Sequence, residues 1–171
     1  MIEIVMSEKS KEFEKHAKEL GFSDVFFCGY GRSLNLDKID AVIIKPKSTN
    51  DLRKFFSLFK DKKIRVESED AELTRAALES KKVFMILTKK INHVLCKITS
   101  QNNVFFGINF SELMNVEGVK RAVLLSKIIK NLNLCRKFKV KVIVASFAST
   151  PEKMFHAAEI KSIFEKFYPL K

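Results

Sequence analysis

His16, His93 and His156 are the side chains from which a metal or acid–base site would most readily be built. They are widely separated in the sequence, and no HxH pair is present. None is expected to have an acidic neighbour at ligand spacing. Because zinc and di-metal sites need several such ligands close together, the sequence predicts neither a metal site nor a catalytic residue.

Motifs for phosphate binding and nucleophilic catalysis are also missing. The sequence contains no GxxxxGK[ST], GxGxxG, GxSxG or HExxH pattern. The one glycine cluster, at residues 29–31, lacks the following helix that a phosphate-binding loop requires. The chain by itself is therefore predicted to be non-catalytic.

The ends of three predicted strands are polar or cationic. They read Thr-Lys-Lys at 88–90, Asn-Phe-Ser at 109–111 and Ser-Phe-Ala-Ser-Thr at 146–150, and Glu112 is the only acidic residue expected near them. Sites in α/β folds lie at the carboxyl ends of strands. This composition favours holding an anion over activating a water molecule.

Positive charge is concentrated in one part of the chain, whose net charge is +12. Residues 1–79 contain 15 Lys and Arg and 15 Asp and Glu, whereas residues 80–151 contain 13 Lys and Arg and 2 acidic residues. A solvated lysine-rich surface could have the same composition. Clustering favours nucleic acid, because neutralising phosphates requires cations gathered on one side.

Cysteine usage and hydropathy indicate the compartment. Cys28, Cys96 and Cys135 lie far apart in apolar sequence, so they are interpreted as buried thiols in a reducing environment. No apolar run approaches the roughly 20 residues of a membrane span, and the first residues lack a secretion signal. The protein is expected to be cytoplasmic.

Short apolar runs alternate with helical patterns along the whole chain. Such strands, apolar on both faces and separated by helices, predict a parallel sheet with helices outside it. We expect a single α/β domain over residues 1–171, folded as a TIM-barrel-like and possibly incomplete barrel. The predicted strands are residues 2–6, 25–28, 41–44, 64–66, 83–87, 104–110 and 140–145, and the predicted helices are residues 10–20, 52–59, 71–78, 91–98, 118–138 and 157–167.

The long helix at 118–138 is the most informative element. Its helical periodicity gives one broad apolar face and gathers four lysines on the opposite side: Lys120, Lys127, Lys130 and Lys137. Those lysines could contact phosphate or simply be solvated. Arg121, in the first turn, is expected to point across the rim of the barrel, either toward a ligand or toward a carboxylate that anchors the loop.

Two stretches carry a family resemblance. INHVLCKITSQNNVFFGINFSELMN and GVKRAVLLSKIIKNLNLCRKFKVKVIVASFAS resemble protein component 3 of archaeal and eukaryotic ribonuclease P, whose fold is related to the polymerase-and-histidinol-phosphatase (PHP) barrels. The shared features are an HVL helix after a strand, an INF strand end, an arginine opening a long helix, an RKF segment and a small-polar strand end. The resemblance is clearest over residues 83–150.

The resemblance implies a subunit of a ribonucleoprotein that removes 5′ leaders from precursor tRNA. It implies that RNA holds the catalytic Mg²⁺, that this chain needs no cofactor, and that its partners are the ribonuclease P RNA, precursor tRNA, protein component 2 and the other protein subunits. With Lys120 from the helix pattern, the RNA-binding residues expected here are Lys89, Lys90, His93, Asn109, Lys120, Arg121, Arg136, Lys137 and Ser146.

One departure from the family's motifs and two alternative functions remain at this point. The family usually has an arginine and an aspartate before the helix histidine, where this chain has Lys89, Lys90 and Asn92. The alternatives are a metal-dependent phosphoesterase of the PHP superfamily and a general basic RNA-binding protein.

A partner surface for component 2 is expected from phenylalanines in excess of one buried stripe, at Phe55, Phe56 and Phe59 and at Phe164 and Phe167.

Overall fold

The computed structural model describes residues 1–30 and 35–168, so residue 31 of the glycine cluster lies outside it. The strands are β1 (Ile2–Val5), β2 (Asp24–Tyr30), β3 (Ala41–Ile44), β4 (Lys63–Glu67), β5 (Val83–Leu87), β6 (Phe105–Asn109) and β7 (Lys141–Ala145). The α-helices are α1 (Lys11–Glu19), α2 (Thr49–Leu58), α3 (Ala71–Glu79), α4 (His93–Gln101), α5 (Phe110–Met114), α6 (Gly118–Lys137) and α7 (Ala157–Phe164).

Polar side chains cap the first turns of several helices. The hydroxyl of Ser48 accepts the Asp51 N–H at 3.1 Å, and the carboxylate of Asp70 accepts the Leu73 N–H at 3.0 Å. Such caps satisfy amide groups that have no partner inside the helix. Helix α1 is followed closely by Gly21, whose φ of +86° is the left-handed conformation that favours glycine after a helix.

The seven strands form one parallel sheet whose order follows the chain from β1 to β7. The two edge strands approach each other, because the Met6 N–H donates to the Ala148 carbonyl at 2.7 Å and Val5 forms an isolated parallel bridge with Ala148. The sheet therefore almost closes into a barrel with helices outside it. The predicted TIM-barrel-like fold is confirmed, with seven strands and an incomplete seam in place of eight closed strands.

A buried carboxylate spans the seam between β1 and β7. One oxygen of Glu3 accepts the Ser146 N–H at 2.7 Å, the Ser146 hydroxyl at 2.8 Å and the Ile4 N–H at 2.9 Å. Burial raises the pKa of Glu3 to about 7, and the hydrogen bonds from Ser146 oppose that rise. A side chain thus supplies the acceptor that a regular strand ladder would supply elsewhere.

Apolar packing lies on both faces of the sheet. A small cluster fills the barrel interior, and a larger one lies between the strands and the helices. The three cysteines are buried, as predicted, and the thiols of Cys96 and Cys135 are hydrogen-bonded to each other. Within the described residues, no helix combines the length and apolar composition needed to cross a membrane.

The expected excess of exposed phenylalanine is wrong. Phe56, Phe59 and Phe164 are buried, and Phe55 and Phe167 are half-buried against the outer core. Packing on both faces of the sheet buries more aromatic surface than the single apolar stripe assumed from the sequence. The exposed large apolar side chains among the described residues are instead Ile2, Tyr30, Leu58, Val94, Val119 and Val123.

Candidate nucleic-acid interface

The charge segregation of the sequence becomes a segregation in space. Because the sheet order follows the chain, residues 80–151 form one contiguous side of the barrel, from β5 to β7 with α4, α5 and α6, which we call the cationic sector. Its lysines are exposed. The described residues of this sector form one ion pair, between Lys89 and Glu112 at 3.7 Å. The preceding half contains several ion pairs, such as Lys9–Asp40 at 2.8 Å.

The loop after β5 presents three of the predicted RNA-binding residues. Lys89, Lys90 and His93 are exposed, and His93 is the first residue of α4. The side chain of Asn131 on α6 fixes this loop, because its amide donates to the Lys89 carbonyl at 3.1 Å and its oxygen accepts the Ile91 N–H at 3.4 Å. The structure therefore holds the two lysines at the rim through a residue that lies on the largely apolar face of α6.

Asn109 ends β6 and serves as a helix cap. Its side-chain oxygen accepts the Glu112 N–H at 3.2 Å and starts α5, a five-residue helix that the sequence did not predict. The apolar residues of this segment match a strand as well as a single helical turn, so periodicity does not separate the two. Asn109 remains half-buried at the carboxyl end of the sheet.

Arg121 anchors the loop that leads into α6. Its guanidinium donates to the carbonyls of Val116 at 2.5 Å and Met114 at 3.0 Å. The anchoring role considered from the sequence is present, but the acceptors are backbone carbonyls and not a carboxylate. Arg121 is half-buried at the rim, next to the exposed Lys120.

Arg136 and Lys137 lie at the other end of α6 from the rim. Both are exposed, and they precede β7 at the amino end of the sheet. Seventeen residues separate Lys120 from Lys137, which corresponds to roughly 25 Å along the helix axis. The predicted residues therefore form no single compact site, and the exposed Lys127 and Lys130 lie between the two groups.

Ser146 is not on the surface. It is fully buried, its hydroxyl donates to Glu3 at 2.8 Å, and the same oxygen accepts the Ala148 N–H at 3.2 Å. The sequence placed Ser146 correctly at a strand end but could not show that this strand end forms the seam. Direct RNA contact at Ser146 is incompatible with this position.

The barrel mouth, at the carboxyl ends of the strands, contains charged residues that the sequence reasoning missed. Arg65 is 1% exposed and forms an ion pair with Glu67, whose other oxygen lies 2.7 Å from the Lys45 ammonium. Lys63, Arg65 and Glu67 alternate along β4, and this charged alternation in a strand was the available signal. A strand that is apolar on both faces, as assumed, does not describe β4.

Two expectations about acidic residues are wrong: Glu112 is not the only acid near the strand ends, and one histidine does lie beside a carboxylate. Glu67 and Glu69 line the barrel mouth together with Glu112. His16 lies 3.4 Å from the carboxylate of Glu19, one turn away on the exposed side of α1. Across residues 1–30 and 35–168, no group of three or more His, Cys, Asp and Glu side chains is arranged to hold a metal ion.

These features define a class of protein: a parallel strand–helix barrel with an exposed cationic side. No protein-family model matches the chain. Two relatives are each called ribonuclease P protein component 3, one from Methanococcus maripaludis, 27% identical over 129 residues, and one from Methanocaldococcus jannaschii, 26% identical over 185 residues. The matches cover 70% and 94% of this chain and 56% and 79% of the respective relatives.

A solved structure agrees with the sequence relatives. A chain in the cryo-EM structure of an archaeal ribonuclease P with mature tRNA superposes with a TM-score of 0.83 at 26% identity, covering 99% of this chain and 84% of that one. The chain is thus similar to ribonuclease P protein component 3 in sequence and in fold, and the resemblance predicted from its motifs is confirmed. It spans 56% of the length of the Methanococcus relative.

Proposed function

We propose that the chain is a protein subunit of ribonuclease P, acting in the cytoplasm to support removal of 5′ leaders from precursor tRNA. The observation that carries the proposal is its similarity, over nearly its whole length, to a chain of an archaeal ribonuclease P. The exposed cations of the sector supply the charge that binding to an RNA backbone requires. Their extent along α6 fits an elongated contact with RNA better than a small-molecule site.

In this proposal the protein binds RNA, and the RNA catalyses the cleavage. The Mg²⁺ ions of the reaction are held by RNA, and this chain contributes cations that reduce repulsion between RNA phosphates. The alternative, a metal-dependent phosphoesterase, needs a cluster of ligands, and the described residues bring no such cluster together. A general RNA-binding role would be recognised by pull-down of the native protein followed by RNA sequencing, with no enrichment of ribonuclease P RNA.

The salt dependence of RNA binding tests which surface is used. Each lysine that neutralises a phosphate contributes about 0.7 to 0.9 to the slope of log affinity against log salt. Replacing Lys120, Lys127 and Lys130 by alanine should flatten the slope by about 2 for ribonuclease P RNA. The matched control replaces Lys9, Lys11 and Lys15 in the charge-balanced half and should leave the slope unchanged; equal slopes for the two triple variants would contradict the assignment.

Component 2 of ribonuclease P is the protein partner in this proposal. Val119, 80% exposed, and Val123, 49% exposed, lie on the same exposed face of α6 as Lys127 and Lys130. In this proposal component 2 contacts the start of that face and RNA contacts the lysines further along it. An apolar contact is not screened by salt as phosphate contacts are. We therefore expect the two proteins to form a complex without RNA.

Light scattering of the mixed proteins at about 1 M salt, where charge interactions are screened within about 3 Å, measures that complex. Replacing Val119 and Val123 by serine should dissociate it. Replacing Leu58, which is 65% exposed on α2, is the control and should leave it intact. Only free monomers from the unmodified proteins would show that this surface binds no component 2.

A further inference from the structure

The barrel mouth is a cavity of about 480 Å³ that shares Lys89, Asn109 and Lys127 with the proposed RNA-binding surface and extends inward from it. It opens at the carboxyl ends of the strands, and its volume lies within the roughly 300–1,000 Å³ of ordinary ligand sites. Its lining combines cations, carboxylates and aromatic rings. Among the residues that line it are Tyr30, Lys45, Arg65, Glu67, Lys89 and Lys127.

Arg65 has more hydrogen-bond donors than partners. Its guanidinium stacks 4.1 Å from the centroid of the Phe147 ring, forms an ion pair with Glu67 and contacts the Met6 sulfur at 3.7 Å. Its Nε–H has no partner among the described residues although it is buried. Buried charged donors are costly unless they are satisfied. Arg65 lies on the wall of the cavity, so an anion bound in the mouth would lie beside its guanidinium.

The backbone of Phe147 is held in an unfavourable conformation beside Arg65. Its φ is +51°, a left-handed value that a bulky side chain rarely adopts. Such strain persists only where surrounding contacts enforce it, and it is concentrated at binding and catalytic sites. Here the result is a ring that covers one face of the buried guanidinium and fixes its plane.

The carboxylate of Glu67 forms ion pairs with two cations in the barrel mouth. Glu67 pairs with Arg65 and also with Lys45, whose ammonium lies 5.1 Å from the centroid of the Tyr30 ring. The hydrogen bond to Glu67 raises the pKa of Lys45, so this lysine stays charged. The trio therefore keeps an excess positive charge in a partly enclosed space.

The outer part of the barrel mouth contains further cations, carboxylates and an exposed aromatic ring. Lys89 and Lys127 supply exposed cations, while Glu69 and Glu112 supply acceptors. The Tyr30 ring, 42% exposed, lines the same cavity. Cations match a phosphate, carboxylates accept from ribose hydroxyls and base amino groups, and an exposed ring stacks on a base.

We propose that the barrel mouth binds a nucleotide through its phosphate and its base, either as a free mononucleotide or as an unstacked nucleotide of an RNA chain. This goes beyond the proposed ribonucleoprotein role, which shares Lys89 and Lys127 with the mouth but does not use its interior. It does not depend on that role, because a mononucleotide can be tested without any ribonuclease P component.

Titration of the full chain with adenosine, guanosine, cytidine and uridine 5′-monophosphates tests the proposal. The chain has two tyrosines, so ring signals in the NMR spectrum report on both ends of the barrel. Tyr30 lines the mouth, whereas Tyr168 lies at the other end and donates to the Val140 carbonyl. Saturable shifts are expected at Tyr30 and not at Tyr168.

Two double variants of equal charge separate the mouth from general electrostatics. Lys89→Ala with Lys127→Ala removes two cations that line the cavity, and Lys90→Ala with Lys130→Ala removes two that do not. The first pair should weaken mononucleotide binding about tenfold or more, and the second by no more than about twofold. All four lysines are exposed, so both variants should fold.

The outcomes decide the proposal without reference to ribonuclease P. Absence of saturation up to roughly 10 mM mononucleotide, equal weakening by the two double variants, or equally tight binding of ribose 5-phosphate would each overturn it. Competition then identifies the source of the occupant. Displacement of an RNA with unpaired nucleotides, but not of a duplex, identifies an RNA nucleotide, and mononucleotide binding without displacement identifies a free one.

Discussion

At the scale of single residues, Glu3 shows how one side chain closes the barrel and makes its stability depend on pH. Burial raises its pKa from 4.5 to about 7 in the folded chain. Ionisation is then easier in the unfolded chain than in the folded one. The stabilising contribution is complete below about pH 4.5 and is lost as pH rises through about 7.

Glu3→Gln should remove this pH dependence, because an amide oxygen can accept the same bonds and carries no charge. The difference in unfolding free energy between the variant and the wild type should shift by about 3 kcal/mol in favour of the variant from pH 4 to pH 8. Urea denaturation at a series of pH values measures it. A constant difference across that range would show that Glu3 does not titrate at the seam.

At the scale of elements, the α5–α6 connection depends on Arg121. Replacing Arg121 by methionine removes two hydrogen bonds from a charged donor to the Val116 and Met114 carbonyls, and should lower the free energy of unfolding by about 1–2 kcal/mol. The neighbouring Lys120→Met is the control, with an effect of no more than about 0.5 kcal/mol.

Chemical denaturation gives the two free energies, and amide hydrogen exchange over residues 114–118 locates the loss. Faster exchange is expected there in the Arg121 variant alone. If both variants are equally stable and exchange alike, Arg121 does not anchor this loop.

Which elements could be predicted depends on how local their causes are. The starts of α2 and α3 follow from Ser48 and Asp70, and the end of α1 follows from Gly21, because caps act within a few residues. Helix α5 was missed because five residues carry no helical periodicity. The roles of Asn131 and Ser146 could not be predicted, since their partners at Lys89 and Glu3 are 42 and 143 residues away.

At the scale of the whole molecule, a sequential parallel sheet explains why the charge pattern was informative. With strands ordered as in the chain, a cationic segment must become a cationic side. The composition of the barrel mouth could not be predicted in this way, because its residues come from the ends of many strands. Arg65 and Glu67 share one face of β4, but Phe147 reaches them from the end of β7 only after closure, and no local pattern predicts that contact.

Reconstituted cleavage of precursor tRNA tests the central claim most directly. Ribonuclease P RNA and the remaining protein components are assembled with and without this chain, and 5′-leader removal is followed as Mg²⁺ is lowered. We predict that the chain extends cleavage to lower Mg²⁺, that the triple alanine variant at Lys120, Lys127 and Lys130 loses much of this effect, and that the chain alone cleaves nothing. Unchanged cleavage on adding the chain, or leader removal by the chain without RNA, would contradict the account.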